Sequence, residues 1–130
     1  MTATQLNALA FDQPELLSAL DGLDDAALDE VSFGVIGFDA EGVVRRYNST
    51  ESRLAGLRPE RVLGLQFFGV VSQCMNNYLV AQRFEDCLAQ GEPLDAMLDY
   101  VLTLRMKPTK VKMRLLSHPA HDMRYICILR

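Results

Sequence analysis

Three side chains carry reactive chemistry at suggestive places: the phenol of Tyr47, the carboxyl of Glu51 and the thiol of Cys74. Tyr47 and Glu51 are four apart at a strand-to-helix junction, a spacing that sets both on one side. If that side faces the core, each needs a hydrogen-bond partner, and desolvation tends to keep a buried Glu protonated. The pair alone also reads as an exposed Glu beside a half-buried Tyr. Cys74 follows Val70-Val-Ser-Gln73 in a loop ahead of a long helix. A thiol near a helix N-terminus has a stabilised thiolate.

The remaining candidates have plainer readings. Cys74, Cys87 and Cys127 form no close pair and no CxxC, which argues against a disulfide framework and a zinc ligand set. Cys87, on an apolar helix face, and Cys127, inside a strand, read as core. His118 and His121 flank Pro119 in a hairpin loop without a carboxylate or cysteine at ligand spacing, and read as solvated. A hydrolase built on Cys74 with either histidine stays open but lacks a residue to orient the imidazole. Lys107, Lys110, Lys112 and Arg114 alternate with Val111, Met113 and Leu115, as on a strand with one wet face. No GxSxG, HExxH, GxGxxG or phosphate-cradling loop is present.

The elements that must position these residues follow from period and punctuation. Residues 1–30 read as a helical preface: Asp12 as cap, Pro14 and Glu15 in a first turn, Leu16, Leu17 and Leu20 as a stripe, then a second short helix from Asp24 to Val31. Val31–Phe38 and Val43–Tyr47, joined by Asp39-Ala-Glu-Gly42, predict a β-hairpin. A short helix capped by Asn48 or Ser49 follows, then a turn of helix at Pro59–Gly64. A longer helix spans Asn76–Gln90, with Val80, Phe84, Cys87 and Leu88 on one face. Strands at Ala96–Arg105, Thr109–Ser117 and Met123–Leu129 complete an α+β fold, a five-stranded antiparallel sheet covered on one face by helices. The division expected is an N-terminal cap over 1–30 and a core over 31–130.

The chain has 130 residues, 49% hydrophobic and 23% charged, with a net charge of −4. A core of ordinary size is within reach of that length. The acidic balance argues against binding a phosphate backbone. No apolar run approaches a membrane span, and the first residues lack a basic n-region and an apolar h-region, so a cytoplasmic, membrane-free protein is expected.

Read together, Phe38-Asp-Ala-Glu-Gly-Val-Val-Arg-Arg-Tyr-Asn48, Glu51, Gly56 and Pro59-Glu-Arg-Val-Leu-Gly64 resemble the PAS superfamily. Within it, Tyr47-Asn48 with Glu51, Gln66-Phe-Phe-Gly-Val-Val-Ser-Gln-Cys74 and Met106-Lys-Pro-Thr-Lys-Val-Lys112 resemble the photoactive yellow protein family, from about residue 12 onward. The resemblance implies a blue-light photoreceptor, not an enzyme, carrying p-coumaric acid (4-hydroxycinnamic acid) as a thioester on Cys74. Tyr47 and Glu51 would hydrogen-bond its phenolate, with Glu51 as proton donor after trans-to-cis isomerisation. Met106 would pack on the pigment and speed dark recovery, and Ala55, Leu57 and Phe67 would line the pocket. The alternative is a PAS module that binds another ligand or dimerises without a covalent chromophore.

Several positions depart from the family pattern. Ala55 stands where a threonine commonly bonds the tyrosine, and Leu57 where an arginine shields the chromophore. Gln73 replaces a proline, and Leu102 and Leu104 replace aromatic neighbours. These changes predict a retained pigment with shifted colour, phenol pKa and recovery rate. The partners implied are a downstream signalling protein or a C-terminal output domain such as a histidine kinase, with dimerisation as a further mode.

Overall fold

The structure, a computed structural model, describes residues 9–103 and 108–130. Two short helices come first, α1 (Leu16–Asp21) and α2 (Asp25–Leu28). Strands β1 (Gly34–Phe38) and β2 (Val44–Tyr47) form the hairpin, followed by helix α3 (Ser49–Ala55), a 3-10 turn at Pro59–Arg61, a π-helical turn at Phe67–Val71 and a 3-10 turn at Gln73–Met75. Helix α4 (Ala81–Gln90) leads into β3 (Leu94–Leu102), β4 (Thr109–Ser117) and β5 (Arg124–Leu129). The strands form an antiparallel sheet in the order β2-β1-β5-β4-β3. Both fold class and strand number agree with the sequence reading. No helix among the described residues is long and apolar enough to cross a membrane.

The sheet is covered on both faces, not one. All five residues of β1 are buried, as are the first five of β5. Ile36, Phe38, Met113, Leu115, Ile126 and Ile128 point to one side and pack with Phe67, Met75, Val80 and Phe84. Val35, Leu116, Tyr125 and Cys127 point to the other, beneath Phe11, Leu16, Leu17, Leu20 and Leu28. Each such side chain, fully buried, contributes about 1.5–3 kcal/mol. The N-terminal helices therefore supply the second face's core, which explains strand sequences that read as continuous apolar runs.

That second layer overturns the wet-face reading of Arg114. Its side chain is buried, donating to both carboxylate oxygens of Asp95 at 2.8 Å and to the carbonyls of Phe11 and Gln13 at 2.9 and 2.6 Å. Arg46 similarly donates to the carbonyls of Leu20 and Leu23 and to Tyr125 Oη, and Tyr125 donates to Asp21 at 2.6 Å. His121 is partly covered and pairs with Asp21 at 2.5 Å, so of the two histidines only His118 is the exposed loop residue expected.

Local boundaries differ for identifiable reasons. Helix α1 starts at Leu16, two residues after Pro14, from Glu15 in a left-handed conformation, and Asp12 does not cap it. The cap of α2 is Asp24, which accepts from Ala27 N. Helix α4 starts at Ala81, because Asn77 Oδ1 accepts the N–H groups of Leu79 and Val80 and turns the chain before it. On α4 Phe84 is buried, Cys87 half-buried and Leu88 exposed. Cys127 is core, as expected.

Candidate functional site

The site is built around Asn48. Its Oδ1 accepts from Val35 N at 2.9 Å and Glu51 N at 3.0 Å, and its Nδ2 donates to the carbonyls of Leu28 and Phe33. One buried amide thus caps α3, ties it to β1 and holds the segment after α2. With α3 so fixed, Tyr47 ends β2 and Glu51 lies in the first turn of α3, both buried. The reading of Glu51 as an exposed neighbour of Tyr47 is excluded at 2% exposure.

Tyr47, Glu51, Ala55 and Leu57 line an apolar pocket from the α3 side. Phe67, Val71, Ser72 and Met75 line it from the turns before α4, and Ile36 and Leu102 from the sheet. The π-helical turn is held by aromatic packing, with Phe67 stacked on Phe38 at 5.7 Å and Phe68 edge-on to it at 5.4 Å. The side chains close on a cavity of about 10 Å³, near the size of one water. Ala55, Leu57 and Phe67 are among the residues that line this cavity. Leu104 and Met106 lie outside the described residues.

Cys74 sits in the 3-10 turn at Gln73–Met75, seven residues ahead of α4, so the expected helix N-terminus does not act on it. Its Sγ lies 3.3 Å from the hydroxyl of Ser72, which is on the pocket wall, and the residue packs against the same core cluster. Its carbonyl accepts from Tyr100 Oη at 2.6 Å and from Asn77 Nδ2 at 3.0 Å. This fixes the backbone that presents the thiol.

Burial pushes the Tyr47 phenol well above its ordinary value, and the charge of Glu51 adds to that while Arg130 opposes it. Burial likewise pushes the Glu51 carboxyl up, against hydrogen bonding and attraction from Arg130. Arg130 Nη1 donates to Oε1 at 2.7 Å and Nη2 to Oε2 at 3.2 Å. Sequence reading missed Arg130, along with Ser72, Asn77 and Tyr100. Nothing in one-dimensional spacing links residue 130 to residue 51; only the register that sets Gly34 opposite Ile128 brings them together.

The site thus brings a buried phenol and a buried carboxyl to apolar walls, with a thiol beside the pocket. A family model described as PAS fold matches residues 28–130. The photoactive yellow protein of Rhodothalassium salexigens is 32% identical over 125 residues, covering 96% of this chain and 99% of that protein. That of Halochromatium salexigens is 33% identical with the same coverage. Among solved structures, the photoactive yellow protein domain of the sensor histidine kinase Ppr from Rhodospirillum centenum is 38% identical, with a TM-score of 0.79 over 87% of this chain and 98% of that one. The chain therefore belongs to the photoactive yellow protein family of the PAS fold.

Proposed function

We propose that this photoreceptor carries p-coumaric acid as a thioester on Cys74, and that Tyr47 and Glu51 govern the charge of its phenolic oxygen. The observation that supports this most directly is the burial of Tyr47 and Glu51 in the pocket to which Ser72 joins the thiol. When bound, the group supplies visible absorption and a double bond that light can isomerise. The chain's own residues do the rest. Tyr47, with its raised pKa, keeps its proton and donates a hydrogen bond. Glu51 holds a proton at a carboxyl oxygen and can release it. Tyr100 and Asn77 hold the backbone at Cys74 while Ser72 contacts its sulfur. Leu57 and Val71, both half-buried, are the wall that must move to admit a ring.

Met106 belongs to the same proposal as the residue that packs on the pigment and speeds recovery. In the same proposal the cap over 1–30 is the element that responds when charge changes at Glu51, since its short helices α1 and α2 are not stable alone and depend on packing against the sheet. The output is a signalling partner or fused domain of histidine-kinase type, as in the Ppr protein, and the chain turns over no substrate.

Supplying activated p-coumaric acid to wild type, Cys74→Ala and Cys87→Ala, then recording absorption and intact mass, tests this reading. A visible band and one added acyl group in wild type and Cys87→Ala, both absent from Cys74→Ala, are expected. An unmodified wild type would leave a PAS module without a covalent chromophore.

A further inference from the structure

We propose that Arg130 is the charge partner that sets the proton affinity of Glu51 and links the charge of that carboxyl to the end of β5. The inference rests on the reading of Glu51 as the proton-holding group of the pocket. Glu51 is 2% exposed and its two oxygens receive the two terminal nitrogens of one guanidinium. The Arg130 side chain is itself mostly covered, at 16% exposure. This fork-on-carboxylate geometry is specific to arginine, whose charge is permanent and whose donors are planar.

Among the described residues no second cation reaches the carboxyl. The pocket walls beside it, Ile36, Ala55, Leu57 and Phe67, are apolar. From β2 it faces the neutral phenol of Tyr47; β1 presents Gly34, which has no side chain. Within α3, Asn48 Oδ1 takes the Glu51 N–H and leaves the carboxylate oxygens alone. On its outer side Arg130 borders a groove lined also by Asp99, Lys110 and Lys112.

The consequence is a two-position device. An ionised Glu51 engages both donors of the guanidinium. Protonating Glu51 turns one oxygen into a hydroxyl, removes the charge attraction and frees a donor to turn toward the groove and Asp99. A proton gained or lost in the pocket thus becomes a change in how the residue after β5 is held. Strand β5 is bonded to both β1 and β4, with Leu129 opposite Lys112, so the end of a central strand registers that change.

The test uses the full, pigment-free chain with isotopically labelled glutamate carboxyls, following the Glu51 carboxyl band by infrared titration and assigning it by its absence in Glu51→Gln. Arg130→Gln should raise the proton affinity of Glu51 at least about tenfold, and Arg130→Lys should restore part of it. An unchanged midpoint in a natively folded Arg130→Gln would overturn the proposal. Should that variant not fold, an unaltered midpoint in Arg130→Met together with an unaltered pH profile of urea stability would overturn it equally. Failure of Cys74 to take up p-coumaric acid would sink the pigment reading and leave the titration result standing, so the two failures are separable.

Discussion

A Cβ on Gly34 would overlap Oε1 of Glu51 and lie 3.1 Å from its Cδ, so the carboxyl of α3 rests directly against the backbone of β1. The site depends on the absence of a side chain as much as on the presence of one. Gly34→Ala should expel the carboxyl from its place beside Arg130. The expected cost is about 1–3 kcal/mol in urea unfolding, with an altered Glu51 titration. Unchanged stability and titration would refute the contact.

Asn48 satisfies all four of its hydrogen-bonding positions inside the core. Asn48→Asp would turn an acceptor oxygen toward the carbonyls of Leu28 and Phe33. The loss should be about 3 kcal/mol or more at neutral pH. The introduced carboxyl is buried and favours its neutral form, so stability should recover on acidification and fall as pH rises. A flat difference between variant and wild type across that range would contradict the assigned contacts.

The cap is pinned by Arg114 through the Phe11 and Gln13 carbonyls. Arg114→Met keeps most of the packing and removes the donors. Faster proteolysis and hydrogen exchange over residues 9–15 are expected, with a cost of about 1–3 kcal/mol, while the sheet amides stay protected. Equal protection of the cap in both proteins would count against the anchor.

Two of the four tyrosines, Tyr47 and Tyr125, have phenols raised above the ordinary value of 10.0, chiefly by burial. Their folded-state values exceed the unfolded one. The stability they contribute is present below pH 10.0 and is lost as pH climbs beyond it. On alkaline titration, tyrosinate from Tyr47 and Tyr125 should appear only with loss of the native circular dichroism, and its appearance in the folded protein would be the contrary result.

Thiol labelling distinguishes the three cysteines. Cys127 is fully buried and its thiol is pushed up by desolvation, whereas Cys74 and Cys87 are partly accessible. Iodoacetamide should add rapidly at Cys74 and Cys87 and reach Cys127 only in denaturant. Early modification of Cys127 in the native protein would be incompatible with its place beneath the cap.

How far the sequence was legible varies with the range of the interaction. Thr109–Ser117 has the bounds its alternation predicts, because lysines outside and Val111 and Met113 inside report one wet and one dry face. The same alternation misled at Arg114, two residues further along, where the cap crosses the sheet and turns the wet face into a second core. The cap of α3 was legible to within one residue, as Asn48 or Ser49, because capping is a contact over three residues, and the structure assigns it to Asn48. The bonds of Asn48 to Leu28 and Phe33 were not legible, since they depend on where the chain before β1 passes.

Fold class, the order of elements and the family can be read along the chain, because periodicity, turn residues and the Tyr47, Glu51 and Cys74 motifs are local and ordered. That both sheet faces are covered, that Gly34 makes room for Glu51 and that Arg130 answers its charge emerge only once the chain is folded. Those three facts arise from sheet register and layer packing, which bring together residues 17 and 79 positions apart in the first turn of α3 and leave no trace in their spacing.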